Sequence, residues 1–147
     1  VIIDIDKTVY IPEYDKMYSA SIKISVYDIN DNDEELSEIA SNSKICVNKL
    51  NNSYTKYFDY DKLNKLLDIR FKNVEDRIVV SESGNTKKLK KELTDRKIPA
   101  SHRDEILLVS DNNRVLWACG VRRCEDCRVT GSTKNVFKIQ LILKVRN

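Results

Sequence analysis

Glycine and proline are nearly absent from this chain, with three and two among 147 residues. That excludes collagen-like repeats and Gly- or Pro-rich low-complexity segments. Histidine occurs once, as His102, so a mechanism that needs two imidazoles is excluded. No stretch approaches the roughly 18 consecutive apolar residues that a spanning helix needs. The opening residues, Val1-Ile2-Ile3-Asp4, contain no Met, basic n-region or apolar h-region, so they do not read as a secretory signal. They read instead as a cut from a longer protein, whose catalytic machinery would lie upstream. What is present, 147 residues with 41% hydrophobic and 33% charged, fits one compact domain or two very small ones. A chain of this length buries roughly two-thirds of its unfolded surface, enough to fold without a metal or a disulfide.

Charge is unevenly placed. The formal net charge is only +3, but residues 1–60 carry 6 Lys/Arg against 11 Asp/Glu, and residues 61–147 carry 20 against 12. Such asymmetry points to a polyanion partner for the second half. Solubility alone would explain it equally simply.

Period-two alternation predicts strands. Tyr18, Ala20, Ile22, Ile24 and Val26 share one face, and Ser19, Ser21, Lys23 and Ser25 the other. Phe137, Ile139, Leu141, Leu143 and Val145 alternate with Lys138, Gln140, Lys144 and Arg146. Shorter strands are expected at 7–11 (stopped by Pro12), 54–57, 67–72, 77–80, 106–109 and 115–119, the last two joined by a turn at Asp111-Asn112-Asn113. Helices are expected near Glu34–Ala40, as a turn at 61–66, and over Lys87–Asp95. The fold class is therefore α+β: a small, mostly antiparallel, β-sandwich-like domain with two or three short helices. The charge shift near Asp59–Asp61 is the candidate boundary, dividing a strand-rich lead-in at 1–57 from a domain at 58–147.

The basic helix carries the strongest functional signal. Leu89 and Leu93 fall about 40° apart on a helical wheel, forming a narrow apolar stripe, while Lys87, Lys88, Lys90 and Lys91 spread over the rest. Arg96, Lys97 and Arg103 follow, so residues 87–103 hold seven basic and two acidic side chains. Point charges of this kind suit a nucleic-acid backbone more than base reading. Gly84-Asn85-Thr86 would supply helix-start N–H groups for a phosphate, and Arg122-Arg123 would extend the basic face. A merely solvated helix face is the plainer reading of the same residues.

An ordered series of short motifs adds to this. It runs Phe58-Asp59-Tyr60-Asp61-Lys62-Leu63, Leu67-Asp68-Ile69-Arg70-Phe71-Lys72, Asp76-Arg77 and Lys87-Lys88-Leu89-Lys90. It continues with Leu93, Asp95, Lys97-Ile98-Pro99, Arg103-Asp104, Leu116-Trp117-Ala118, Gly120, Arg122 and Thr133-Lys134. In that order and spacing it resembles the C-terminal region of the bacterial tRNA(Ile)-lysidine synthases. Two departures stand out: Glu75 replaces a glycine before the Asp-Arg pair, and Ile106-Leu107-Leu108 stands where the family usually has a proline. The resemblance implies a fold similar to the C-terminal domain of those synthases and to a domain of the phenylalanyl-tRNA synthetase β chain. It also implies a cytoplasmic parent ligase that joins lysine to the wobble cytidine of tRNA(Ile), using ATP and Mg in an N-terminal domain with a Ser-Gly-Gly-x-Asp-Ser loop. That loop is missing from this sequence; Ser83-Gly84-Asn85 is the nearest approach. The segment is thus expected to be non-catalytic alone, to need no cofactor, and to hold the tRNA acceptor stem through Lys87, Lys88, Lys90, Lys91, Arg96, Lys97, Arg103 and Arg122. Its partners would be tRNA(Ile), the missing catalytic domain and, in a possible homodimer, a second copy, with no membrane.

Two other readings compete. One is a non-enzymatic dimerisation or docking module using the Ser19–Ser25 face or the acidic first half. The other is a zinc-stabilised structural domain, because Cys119, Cys124 and Cys127 form C-x4-C-x2-C with Cys46 and His102 as further ligands. Reduced structural thiols are the simpler account of those cysteines. Trp117, inside an apolar strand, is expected in the core.

Overall fold

The computed structural model of the chain describes residues 1–29 and 54–144. The helix expected near Glu34–Ala40, the turn at Asn51-Asn52-Ser53, Cys46, and the end of the last strand at Val145 and Arg146 lie outside the described residues. In chain order the strands are β1 (Ile2–Asp4), β2 (Val9–Ile11), β3 (Lys16–Asp28), β4 (Thr55–Asp59), β5 (Leu67–Arg70) and β6 (Arg77–Val79). Then come β7 (Thr86–Lys88), helix α1 (Leu89–Asp95), β8 (Leu108–Asp111), β9 (Arg114–Ala118), β10 (Arg122–Arg123) and β11 (Asn135–Lys144). Two 3-10 turns, Tyr60–Lys62 and Ala100–Glu105, complete the set.

The strands form two sheets. In the first, the order is β1-β3-β11-β4, with β2 also on β3. The two strands with the clearest alternation are partners: β11 pairs with β3 from Asn135↔Asp28 to Lys144↔Ser19. On its other side β11 pairs with β4, from Val136↔Asp59 to Gln140↔Thr55. β4 straddles the expected boundary at residue 57/58. In the second sheet the order is β5-β8-β9-β6-β7, with β10 also on β9. All pairings are antiparallel except β6 with β9. The β8–β9 hairpin turns on Asn112 and Asn113, both with positive φ (51° and 68°). Asparagine tolerates that region, and two such residues make the turn whose twist matches a hairpin.

One core joins both sheets. Ile11, Ile22, Phe58, Phe137 and Ile139 of the first meet Ile78, Leu108, Val115 and Trp117 of the second. Trp117 is fully buried, as its apolar strand predicts. Val136, on the opposite face of β11, packs with Tyr57 in a smaller cluster, so part of the first sheet is covered on both sides. Gly120 has φ 79° and approaches Pro12, where an added Cβ would sit 3.3 Å from the proline Cδ. A glycine suits both demands.

The helix boundary corrects the expectation. Thr86–Lys88 is a strand paired with β6, and α1 starts only at Leu89, so Lys87 is not helical. Leu89 and Leu93 are fully buried as expected. The first N–H of α1, on Leu89, donates to the Asp76 carbonyl at 2.9 Å. The expected phosphate-binding helix start at Gly84–Thr86 is thus a hairpin loop, whose Gly84 and Asn85 N–H groups are already taken by Ser81. Nor does Pro99 alone end the helix. Lys97 takes a left-handed conformation (φ 60°), its N–H donates to the Thr94 carbonyl, and the Ile98 N–H donates to the Leu93 carbonyl. This is a Schellman closure, completed by buried Ile98 beside Leu93. Glu75, where a glycine was expected, sits in a turn that needs none: positive φ occurs elsewhere among the described residues.

Candidate nucleic-acid interface

The eight candidate cations all lie on or next to α1, but the fold sorts them into two groups. In β7, Lys87 alternates inward with its cross-strand partner, buried Ile78. Its Nζ reaches Glu92 at 2.9 Å and Asp95 at 2.5 Å. Glu92 lies on the inner side of α1, 4% exposed. It also accepts from Arg96 Nε at 2.5 Å and lies 3.5 Å from an Arg122 terminal nitrogen. Arg122 continues to Glu125 at 2.8 Å, and Glu125 to Arg128 at 2.5 Å. Arg96 further donates to the Val121 carbonyl at 3.0 Å. The result is an alternating chain of charge that ties α1 to β7 and β10.

Electrostatics follow from that geometry. Burial alone would push the Glu92 carboxyl up, but hydrogen bonds from Lys87 and Arg96 outweigh it and hold the pKa down at about 2. The Asp95 and Glu92 carboxylates raise the pKa of Lys87 in return. Lys87, Arg96 and Arg122 are therefore spent on the fold. Arg103 is half-buried and donates to the Ile98 carbonyl at 3.0 Å, bracing the chain after α1.

Arg123 is also structural. Its guanidinium stacks 4.2 Å from the Phe58 ring centre and donates to the carbonyls of Tyr57, Cys124 and Asp126. The Arg122-Arg123 pair forms β10 against β9 rather than a loop that widens the basic face.

Lys88, Lys90, Lys91 and Lys97 form the second group. All four are exposed, and among the described residues none has a carboxylate partner. Lys90 and Lys91 stand in the first turn of α1, where the helix end is positive and a cation costs about 0.3–1 kcal/mol. Glu92 is the acid in that turn. Lys88 and Lys97 mark its two ends, along a helix about 10 Å long. The four cations thus lie on α1 or at its two ends, exposed and, among the described residues, without a carboxylate partner.

The cysteine cluster shows different chemistry. Cys119, Cys124 and Cys127 are free and buried. Burial pushes the Cys124 thiol up to about 12 and raises Cys119 and Cys127 as well, so these thiols stay protonated. Cys127 Sγ accepts from Arg114 at 2.6 Å. His102 stacks flat on Tyr10, ring centres 4.1 Å apart, with Nδ1 2.6 Å from Glu105. Among the described residues, no three His, Cys, Asp or Glu side chains gather into a metal-ligand group, so the zinc reading finds no assembled site there. No described helix is long and apolar enough to cross a membrane.

Sequence reasoning missed Glu92 as the hub. Its pairing with Arg96 at i, i+4 was legible, whereas Arg122, thirty residues on, required the fold. It also missed Arg77, taken up below.

Comparison with known proteins bears on this surface. A family model described as the TilS substrate C-terminal domain matches residues 67–141, which include α1 and all four free lysines. A tRNA(Ile)-lysidine synthase of Clostridium perfringens is 42% identical over 86 residues, covering 58% of this chain and 18% of that protein. One of Clostridium tetani is 36% identical over 88 residues, covering 60% and 19%. The chain thus spans about a fifth of the length of the curated relatives it matches. A crystal structure of a TilS C-terminal domain aligns with TM-score 0.61 at 19% identity, over 99% of this chain and 98% of that one. An N-terminal fragment of the Pyrococcus horikoshii phenylalanyl-tRNA synthetase β-subunit aligns with TM-score 0.60 at 18% identity, over 99% and 46%. These two likenesses establish the α+β, two-sheet fold.

Proposed function

The chain belongs to the TilS substrate C-terminal domain family, and on that premise we propose that it is the tRNA-holding end of a tRNA(Ile)-lysidine synthase. The parent enzyme would join lysine to the wobble cytidine of tRNA(Ile) with ATP. This segment would supply grip rather than chemistry. The reading is supported by the four lysines within the family-matched span that the fold leaves exposed and, among the described residues, without a carboxylate partner. An acceptor stem is A-form, with a major groove too narrow for side chains, so contact would fall on phosphates and 2′-hydroxyls. Lysines on a short helix and at its two ends meet that need, as point charges that position without reading sequence.

ATP and Mg do not fit the residues present. The Gly84 and Asn85 N–H groups of the Ser83-Gly84-Asn85 loop are spent on Ser81, and no Ser-Gly-Gly-x-Asp-Ser loop occurs. No step involving ATP is therefore assigned to this chain; that chemistry belongs to an N-terminal catalytic domain, the second partner of this reading. We place the tRNA-binding unit at 58–147, with 1–57 as a lead-in joined to it through the β3–β11 pairing.

The test is charge reversal on the outer side alone. The double variant Lys90→Glu/Lys91→Glu should bind isoleucine tRNA at least about tenfold more weakly while melting at the wild-type temperature or above it, since acids suit the first turn of a helix. Unchanged affinity would remove α1 from the tRNA site.

A further inference from the structure

The β6–β7 hairpin places a second cation directly opposite Lys88. The antiparallel register pairs Arg77 with Lys88, Ile78 with Lys87, and Val79 with Thr86. Residues opposite each other in such a pair share a face. Ile78 and Lys87 face inward, so Arg77 and Lys88 both face outward, and both are exposed. Arg77 Nε donates to the Thr86 hydroxyl at 3.1 Å, which orients the guanidinium and, among the described residues, leaves its two terminal nitrogens unengaged. Among the described residues neither Arg77 nor Lys88 has a carboxylate partner.

Two like charges directly across a strand pair destabilise it. The neighbouring carboxylate gives no relief: Asp76 is turned inward and bidentate to Arg70, at 2.7 and 3.0 Å. Lys90 and Lys91 follow within the next residues of the same chain, so the repulsion is compounded. A surface built this way is relieved by a polyanion that places negative charge beside both cations.

We propose that Arg77 and Lys88 form a two-cation clamp for the phosphodiester backbone of double-stranded RNA. The Arg77 fork takes two oxygens of one phosphate, and the Lys88 ammonium takes the next phosphate. This extends the tRNA contact surface from α1 onto β6 and the β6–β7 hairpin, and it rests on the tRNA-holding reading. Guanidinium and ammonium are not equivalent in this pair: the planar fork, pre-oriented by Thr86, sets the register and the lysine adds charge.

The 147-residue chain, the single variants Arg77→Gln and Lys88→Gln, and the double variant are titrated with an isoleucine tRNA transcript across a salt series, and each is melted without RNA. Glutamine keeps a polar stem and removes the charge; in Arg77→Gln it also removes the Nε donor to the Thr86 hydroxyl. The clamp predicts that each single variant binds about three- to tenfold more weakly near 0.1 M salt, with a log–log salt slope shallower by about 0.7–0.9. It also predicts that the melting temperature of Lys88→Gln stays level or rises, because like-charge repulsion has been removed, and that Arg77→Gln, which also loses the exposed bond to Thr86, stays within about a degree or two of wild type. An unchanged slope in the variants, while the wild-type chain binds with a steep slope, overturns the clamp and leaves the tRNA reading standing. Weaker binding that comes with a lower melting temperature assigns the pair a structural role and also overturns the clamp. A wild-type chain that does not bind the transcript overturns the tRNA reading and the clamp with it.

Discussion

Lys87 and Lys88 are neighbours in sequence and opposites in environment, and so are Arg96 and Lys97. In each pair the first residue is held against Glu92 on the inner side of α1, and the second stands in solvent on the outer side. The sorting is geometric. Strand alternation sends Lys87 in and Lys88 out, and the left-handed turn at Lys97 carries that residue away from the helix. Of eight cations clustered in this region, three are paired with carboxylates, one braces a backbone carbonyl, and four have no carboxylate partner among the described residues. A count of basic residues therefore overstates the charge available to a partner about twofold. What decides the matter is which cations the fold has already neutralised.

The inner side should break hardest. Glu92→Ala leaves Lys87, Arg96 and Arg122 facing one another without their shared anion, and should cost about 2–3 kcal/mol in urea denaturation. The tRNA affinity of the molecules that remain folded should scarcely move. An equal loss of affinity would mean that the two sides are not separable.

Acid sharpens the same contrast. The Glu92 carboxyl is depressed to about 2 from 4.5, so its stabilisation is fully present above pH 4.5 and is lost as pH falls toward 2. Thermal melting over that window should show a steeper fall for the wild-type chain than for Glu92→Gln, whereas Lys90→Gln should follow the wild-type curve.

The smallest effect separates stability from binding at one residue. Lys97→Gly relaxes a positive φ (60°) and should stabilise the chain by about 0.5 kcal/mol. It should also make the salt slope of tRNA binding shallower by about 0.7–0.9. Stability that rises with no change in slope would withdraw Lys97 from the surface.

Much of the scaffold was legible because its signals are local. Alternation in β3 and β11, the Leu89/Leu93 stripe, the Trp117 strand and the Asn112-Asn113 turn each depend on a few adjacent residues. The start of α1 was not legible. Thr86-Lys87-Lys88 has no apolar alternation to mark a strand, and Lys88 offers no capping side chain, so helical propensity ran on past the true boundary. The partition of the cations was even less accessible. It depends on β7 pairing with β6 and on Arg122 arriving from β10, contacts that span seven to thirty residues. The Arg122-Arg123 pair misled for the same reason: β10 is two residues long, too short to show a period.

The most direct test of the account is the salt dependence of wild-type binding to isoleucine tRNA. Four free lysines, each displacing counterions from a phosphate, predict a straight log–log plot with slope near −3 to −4. A slope near zero would mean that the outer side of α1 meets no phosphates.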